Sequence, residues 1–140
     1  MAPEILVTDT PGQAAYDAIL AGIRTYNESQ AGPSGHRLLA VLVKDADGKL
    51  LGGLWGRTGW QWLFVDLLWL PETLRGAGLG RDLLRRAEAE AVARGCGNVW
   101  LDTLSFQARG FYEKLGYTVF GTLEGYPPGH RRYFMQKRLG

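Results

Sequence analysis

Apolar positions along the chain recur with two periods, and the switches between them mark out the elements. Ile5-Leu6-Val7 predicts a short first strand. Asp9-Thr10-Pro11 then offers a cap and a proline for a first helical turn, and Ala14, Ala15, Ala18, Ile19 and Ile23 fall on one face of the helix that follows. Periodicity stops over residues 26–35, which are rich in turn formers and read as a loop. From Arg37 the texture becomes β: an apolar run over 38–43, a polar turn at Asp45-Ala46-Asp47-Gly48, and a second run over 49–56. Asp-Gly between apolar runs is a hairpin signal, and a second turn near Arg57-Thr58-Gly59 leads into a third strand over 60–70. Leu79, Leu83, Leu84, Ala87 and Ala91 return to helical spacing, predicting a helix over 78–94 that stops at Gly95. A strand over 99–104, a short helix over 106–115 closed by Gly116, and strands over 117–120 and 133–135 complete the chain, with a loop over 124–130. The order β-α-loop-β-β-β-α-β-α-β-β predicts a mixed α/β (α+β) fold.

Length and composition narrow this picture. A chain of 140 residues builds one core, so residues 1–140 are expected to form a single domain. Sixteen basic against fourteen acidic residues give +2, which makes no electrostatic case for nucleic acid or a membrane surface. One cysteine, Cys96, excludes an internal disulfide, and with two histidines leaves too few soft ligands for structural zinc, so no metal is expected. Cys96 reads as a small packed residue or a helix-end residue rather than a nucleophile, because no histidine is near it in sequence. Neither a basic leader nor an apolar run of membrane-spanning length is present, which predicts a cytoplasmic protein.

The chemistry concentrates where the third strand ends. Leu67-Leu68-Trp69-Leu70 runs to Pro71, and Arg75-Gly76-Ala77-Gly78-Leu79-Gly80 then opens the long helix. Glycines there admit positive φ and a close approach of backbone to ligand. A helix start presents free N–H groups and the positive end of the dipole, the usual physical answer to a phosphate. Arg75 and Arg81 add charge at that mouth. On turn chemistry alone, a tight turn with solvated arginines is the bland alternative. A P-loop is excluded because no Gly-x-x-x-x-Gly-Lys-Ser/Thr exists, and Gly-x-Gly-x-Gly in mid-chain is not the dinucleotide fingerprint.

Arg75-Gly76-Ala77-Gly78-Leu79-Gly80 is similar to the pyrophosphate signature of the GNAT superfamily of acetyl-CoA-dependent N-acetyltransferases, Gln/Arg-x-x-Gly-x-Gly/Ala. Downstream, Ala108-Arg109-Gly110-Phe111-Tyr112-Glu113-Lys114-Leu115-Gly116-Tyr117 resembles that family's Ala-x-x-Phe-Tyr-x-Lys-x-Gly-Phe/Tyr. The order of elements resembles the family layout over essentially the whole chain, of the small single-domain bacterial type. The resemblance implies a mostly antiparallel central sheet of about six or seven strands flanked by about four helices, with splayed strands before and after the glycine-turn helix.

It also implies roles. Gly76, Ala77, Gly78, Leu79 and Gly80, with Arg75, would hold the acetyl-CoA pyrophosphate. Backbone groups of Leu68, Trp69 and Leu70 would pair with the pantetheine arm. Tyr112 would be the general acid beside the sulfur, a role for a phenol that stays protonated at neutral pH, whereas an aromatic pair on a helix is otherwise core. Many family members carry Asn where this chain has Ser105, whose hydroxyl can replace one bond to the pantetheine or cap the short helix. For the base, Asp66 is a lone carboxylate in an apolar strand, and a buried carboxylate needs a partner or a raised pKa; it is suited to act through a water or to hold Arg75 or a backbone group, with Asp102, His130 and water as the alternatives. Trp55, Trp60, Trp62 and Trp69, with Tyr126, form either an aromatic acceptor surface, core, or a dimer contact. Residues 26–35 are either a substrate-facing loop or a connector. The expected activity is direct acetyl transfer to the primary amine of a small molecule, with a homodimer as the candidate assembly. The rivals are acetylation of protein or peptide amines, a CoA-binding regulatory module without turnover, and a nucleotide-phosphate binder.

Overall fold

The computed structural model describes residues 2–140, which divide into two compact units, one ending at Ser34 and one over Gly35–Gly140. The first unit is essentially one helix, α1 (Gln13–Ala31). Two expectations are corrected here. No strand forms at Ile5-Leu6-Val7, whose side chains are exposed: three apolar residues make a strand only when a ladder partner satisfies their backbone. The helix also runs through residues 26–31, read above as loop. Those residues include no glycine or proline, and an established helix propagates cheaply until it meets a breaker. Gly32, at φ 83°, with Pro33 behind it, is that breaker, and its N–H bonds Glu28 O at 2.9 Å. The start is Gly12 without a side-chain cap, so the Asp9-Thr10 cap does not form. Tyr16, Ile19, Ile23 and Tyr26 of α1 are all exposed.

The second unit is a six-stranded sheet, the observed form of the mixed, mostly antiparallel fold. Its strands are β1 (Arg37–Lys44), β2 (Leu50–Gly59), β3 (Trp62–Trp69), β4 (Asn98–Leu104), β5 (Thr118–Glu124) and β6 (Arg131–Arg138), in the order β1-β2-β3-β4-β6-β5. Two further helices, α2 (Leu79–Ala93) and α3 (Arg109–Lys114), and a 3-10 turn at Glu72–Leu74 complete it. The hairpin turn at residues 45–48 forms as predicted. The next turn is at Trp60-Gln61, two residues with positive φ, and lies past Arg57-Thr58-Gly59 because β2 stays paired to Gly59.

The stripe on α2 is the one its periodicity predicts. Leu83, Leu84, Ala87 and Ala91 are buried, against Leu39, Leu54, Leu63, Val65, Val99, Leu101 and Met135 of the same core. Burial of such side chains stabilises by roughly 1.5–3 kcal/mol each. Cys96 is buried just past the helix, where its N–H bonds Ala91 O. The one charged group in the stripe, Glu88, is matched: it accepts from Tyr117 Oη at 2.6 Å and from Lys137 Nζ at 3.1 Å. The other face of the sheet differs. Leu38, Leu42, Trp55, Leu67 and Trp69 are exposed although apolar.

Two irregularities open the sheet in its middle. β3 and β4 run parallel, but their pairing covers only Trp62↔Asn98 to Val65↔Leu101, and both strands continue beyond it. On the other edge of β3 the register with β2 slips between Trp55↔Leu67 and Gly56↔Val65, which leaves Asp66 as a bulge. A bulge bends its strand. β3 therefore leaves β4 at Asp66, and the two splay as expected of the strands on either side of the glycine-turn helix.

Candidate active site

Beyond Val65 the β4-facing edge of β3 has no strand beside it, so backbone groups around Leu68 and Trp69 are open on that side. Leu70 is buried at the end of β3 and anchors the turn. Arg75 curls back, its Nε donating to Leu70 O at 2.9 Å. This ties the arginine to the strand end and answers where it is held: by a carbonyl, not by Asp66.

Gly76 (φ 87°) and Gly78 (φ 80°) are left-handed, a conformation that costs a side-chain-bearing residue about 1–2 kcal/mol. Gly78 is the N-cap of α2 and offers no side-chain acceptor to the helix start. Asp82 N–H is the first to bond back, to Gly78 O at 3.1 Å, so the N–H groups of Leu79, Gly80 and Arg81 lie ahead of the ladder. An uncapped start of this kind suits an anion. At Gly80 the Phe111 ring lies 3.4 Å from where a Cβ would stand, so α3 packs directly on the turn.

Tyr112 follows Phe111 on α3, and the two rings meet edge to face at 5.1 Å. Tyr112 is also edge-on to Tyr117 at 5.8 Å and is buried. Its hydroxyl is pushed up to about 12, first by desolvation and then by the negative charge of Asp102. Asp102 is the first β4 residue past the splay and is held by Arg132, whose Nη2 lies 2.9 Å from Oδ1.

Other sequence candidates fall differently. Asp66 is exposed on the bulge, so the idea of a carboxylate enclosed in an apolar strand is corrected: the bulge turns the side chain out. Ser105 does not cap α3, which begins at Arg109. Its Oγ accepts the Arg131 N–H at 3.0 Å and lies 3.4 Å from His130 Nδ1, pinning the β4–α3 connection to β6. The tryptophans do not form one aromatic surface. Trp62 and Trp69 stand at opposite ends of β3, seven residues and so roughly 23 Å apart. Tyr126 sits instead against Arg132, whose Nη1 donates to its hydroxyl at 2.9 Å. Trp100, not singled out by the sequence, stacks on Phe64 at 4.2 Å.

The residue that sequence reasoning missed is Tyr133, read only as a strand position. It is buried in β6 and lines a cavity of about 410 Å³ with Ser105, Glu124, His130 and Arg131. The guanidinium of Arg109 lies over its ring at 4.5 Å, and Arg109 and then Arg131 favour the charged form of its hydroxyl, which lowers its pKa. No local pattern announces this, because the two arginines come from α3 and β6. Among the described residues no group of three or more His, Cys, Asp or Glu is placed to hold a metal ion, and no helix is long and apolar enough to cross a membrane.

Comparison with known proteins bears on this arrangement. The sequence model of the acetyltransferase (GNAT) family matches residues 10–117. The chain is 47% identical to blasticidin-S acetyltransferase of Streptomyces morookaense over 93 residues, 66% of this chain and 68% of that protein. It is 35% identical to an acetyltransferase of Agrobacterium fabrum over 134 residues, 96% of this chain and 98% of the relative. Among solved structures, a candidate acetyltransferase from Agrobacterium tumefaciens superposes with a TM-score of 0.93 at 34% identity, over 97% of this chain and 99% of that one. With the splayed strands and the glycine turn in place, these matches decide the family: the chain belongs to the GNAT acetyltransferases.

Proposed function

We propose that this acetyltransferase moves the acetyl group of acetyl-CoA to the primary amine of a small molecule, in the cytoplasm, by direct attack of the amine on the thioester. The observation that carries the reading is the junction of an open β3 edge with an uncapped helix start. In this reading the backbone of Leu68, Trp69 and Leu70 lies along the pantetheine arm, and a donor among those groups polarises the thioester carbonyl. The N–H groups of residues 76–80 hold the pyrophosphate, with Arg75 fixing the turn. Ser105 offers its hydroxyl where family members carry Asn. Tyr112 gives its proton to the departing sulfur. A small acceptor accords with the name of the Streptomyces relative, which acts on blasticidin S.

The test is thiol release from acetyl-CoA across a panel of small amines, beside peptide N-termini and lysine peptides. Turnover with at least one small amine is expected, and acetyl-CoA, unlike ATP, raises the melting temperature. Turnover with peptides alone overturns the small-acceptor reading. Tight acetyl-CoA binding without any turnover favours the regulatory module, and stabilisation by ATP favours the nucleotide binder.

The assembly in this reading is a homodimer. β1 is apolar on both faces, a pattern of strands covered on both sides, yet Leu38 and Leu42 are exposed, as are Trp55, Leu67 and Trp69 beside them. Sedimentation is expected to give twice the chain mass. A Leu42→Glu, Trp55→Glu variant sediments as a single chain, and a wild-type monomer at micromolar concentration rejects the dimer.

A further inference from the structure

We propose that Tyr133 is the base that takes the proton from the acceptor amine, and that the cavity it lines with Ser105, Glu124, His130 and Arg131 receives the ammonium group. This rests on the amine-acetylation reading above and names the group which that reading leaves open.

The first support is placement. Arg109 stands one helical turn before Tyr112 on α3, and its guanidinium lies 4.5 Å from the centre of the Tyr133 ring. From the other side, Tyr133 pairs with Thr103, the neighbour of the Asp102 whose field acts on Tyr112. Two phenols thus flank the ends of the splayed strands, one enclosed and one at a cavity wall.

The second support is charge. Two guanidinium groups act on Tyr133, Arg109 from over its ring and Arg131 from the cavity wall, and both favour phenolate. Each arginine has its own carboxylate, Glu113 at 3.3 Å and Glu124 at 2.8 Å. Those carboxylates temper the positive field, and Glu124 offers the incoming ammonium a counter-charge at the cavity wall. His130 is held 3.4 Å from Ser105 Oγ, with the Phe106 ring edge-on to it at 4.9 Å. Environments that push two like groups apart assign acid and base. Tyr112 is driven up by burial and Asp102, while Tyr133 is driven down by two arginines.

The proton count closes. The Tyr133 phenolate takes one proton from the ammonium, and the freed nitrogen lone pair forms the N–C bond at the thioester carbonyl. On collapse the C–S bond breaks; Tyr112 gives its proton to sulfur and recovers one from the nitrogen. The products are amide and CoA thiol, and Tyr133 later releases its proton to solvent.

Two measurements on the full chain test this. In ultraviolet titration of phenolate, one of the six tyrosines is expected to ionise below pH 10, and that component disappears in Tyr133→Phe. With an amine that turns over, kcat/KM of wild type rises with pH through the same midpoint. Tyr133→Phe loses that limb and falls about a hundredfold near neutrality, with acetyl-CoA binding unchanged, and Arg131→Gln moves the limb to higher pH. Tyr133→Phe keeps the buried ring, and its melting temperature checks that it folds. An early-ionising tyrosine that persists in Tyr133→Phe overturns the proposal, as does an unchanged pH profile. Loss of the limb in Asp66→Asn instead assigns the base to Asp66. If no amine turns over at any pH, the acceptor reading fails and the base assignment with it, whereas turnover with an unaltered Tyr133→Phe profile removes the base alone.

Discussion

Tyr112→Phe is expected to lower kcat about a hundredfold or more, the usual contribution of a positioned general acid, while acetyl-CoA binds as tightly as before. The ring remains, so its edge contacts with Phe111 and Tyr117 are kept, and only the proton is lost. The pH dependence separates this residue from Tyr133. Burial and Asp102 hold the Tyr112 hydroxyl at about 12, above the ordinary phenol value near 10. The acid form is therefore present across the neutral range and is lost only as pH climbs toward about 12. The wild-type rate should show no decline from this group between pH 7 and 10. Single-turnover thiol release across that range is the measurement, with acetyl-CoA titrated calorimetrically in parallel. A variant that keeps wild-type turnover moves the proton donor to water, and one that loses acetyl-CoA binding shows that Tyr112 holds the cosubstrate instead.

Gly56→Ala is expected to be the most damaging single methyl in the sheet. A Cβ at Gly56 would lie 2.3 Å from Phe64 O, inside any real contact, and the obstacle is backbone that cannot rotate aside. Gly56 pairs with Val65 immediately before the Asp66 bulge, so the close approach of β2 and β3 there sets where β3 turns away from β4. Forcing the strands apart should cost about 3 kcal/mol, which lowers the melting temperature by about 10 °C in a chain of this size. What remains folded should bind acetyl-CoA more weakly, because the open edge at Leu68 and Trp69 depends on that bend. Thermal melts with and without acetyl-CoA check both effects. An unchanged melting temperature means that the two strands have room the geometry denies.

Local information along the chain was enough for every element with a clear period and a clear stop. The α2 stripe, the 45–48 hairpin and the glycine turn each follow from side-chain spacing and backbone freedom within a few residues. The same locality explains the errors. Ile5-Leu6-Val7 has the composition of a strand, but a strand exists only through a partner, and partners are a tertiary fact. Residues 26–31 carry turn-forming side chains, but a propagating helix yields to Gly32, not to Asn27 or Ser29.

For the candidate site, the sequence singled out the groups proposed to act through backbone or a linear motif: residues 75–80 by their glycines, and Tyr112 by the resemblance of its surroundings to Ala-x-x-Phe-Tyr. Tertiary structure decided everything that depends on which distant groups face one another. It turned Asp66 out on a bulge, brought Tyr112 into the field of Asp102, tied Ser105 to β6, and laid Arg109 over the Tyr133 ring at the cavity that Arg131 also lines. Electrostatic environments are sums over neighbours in space, weakening with distance and screened over about 10 Å. Arg109 and Tyr133, 24 positions apart in the chain, are brought into contact only by the packing of α3 on β6.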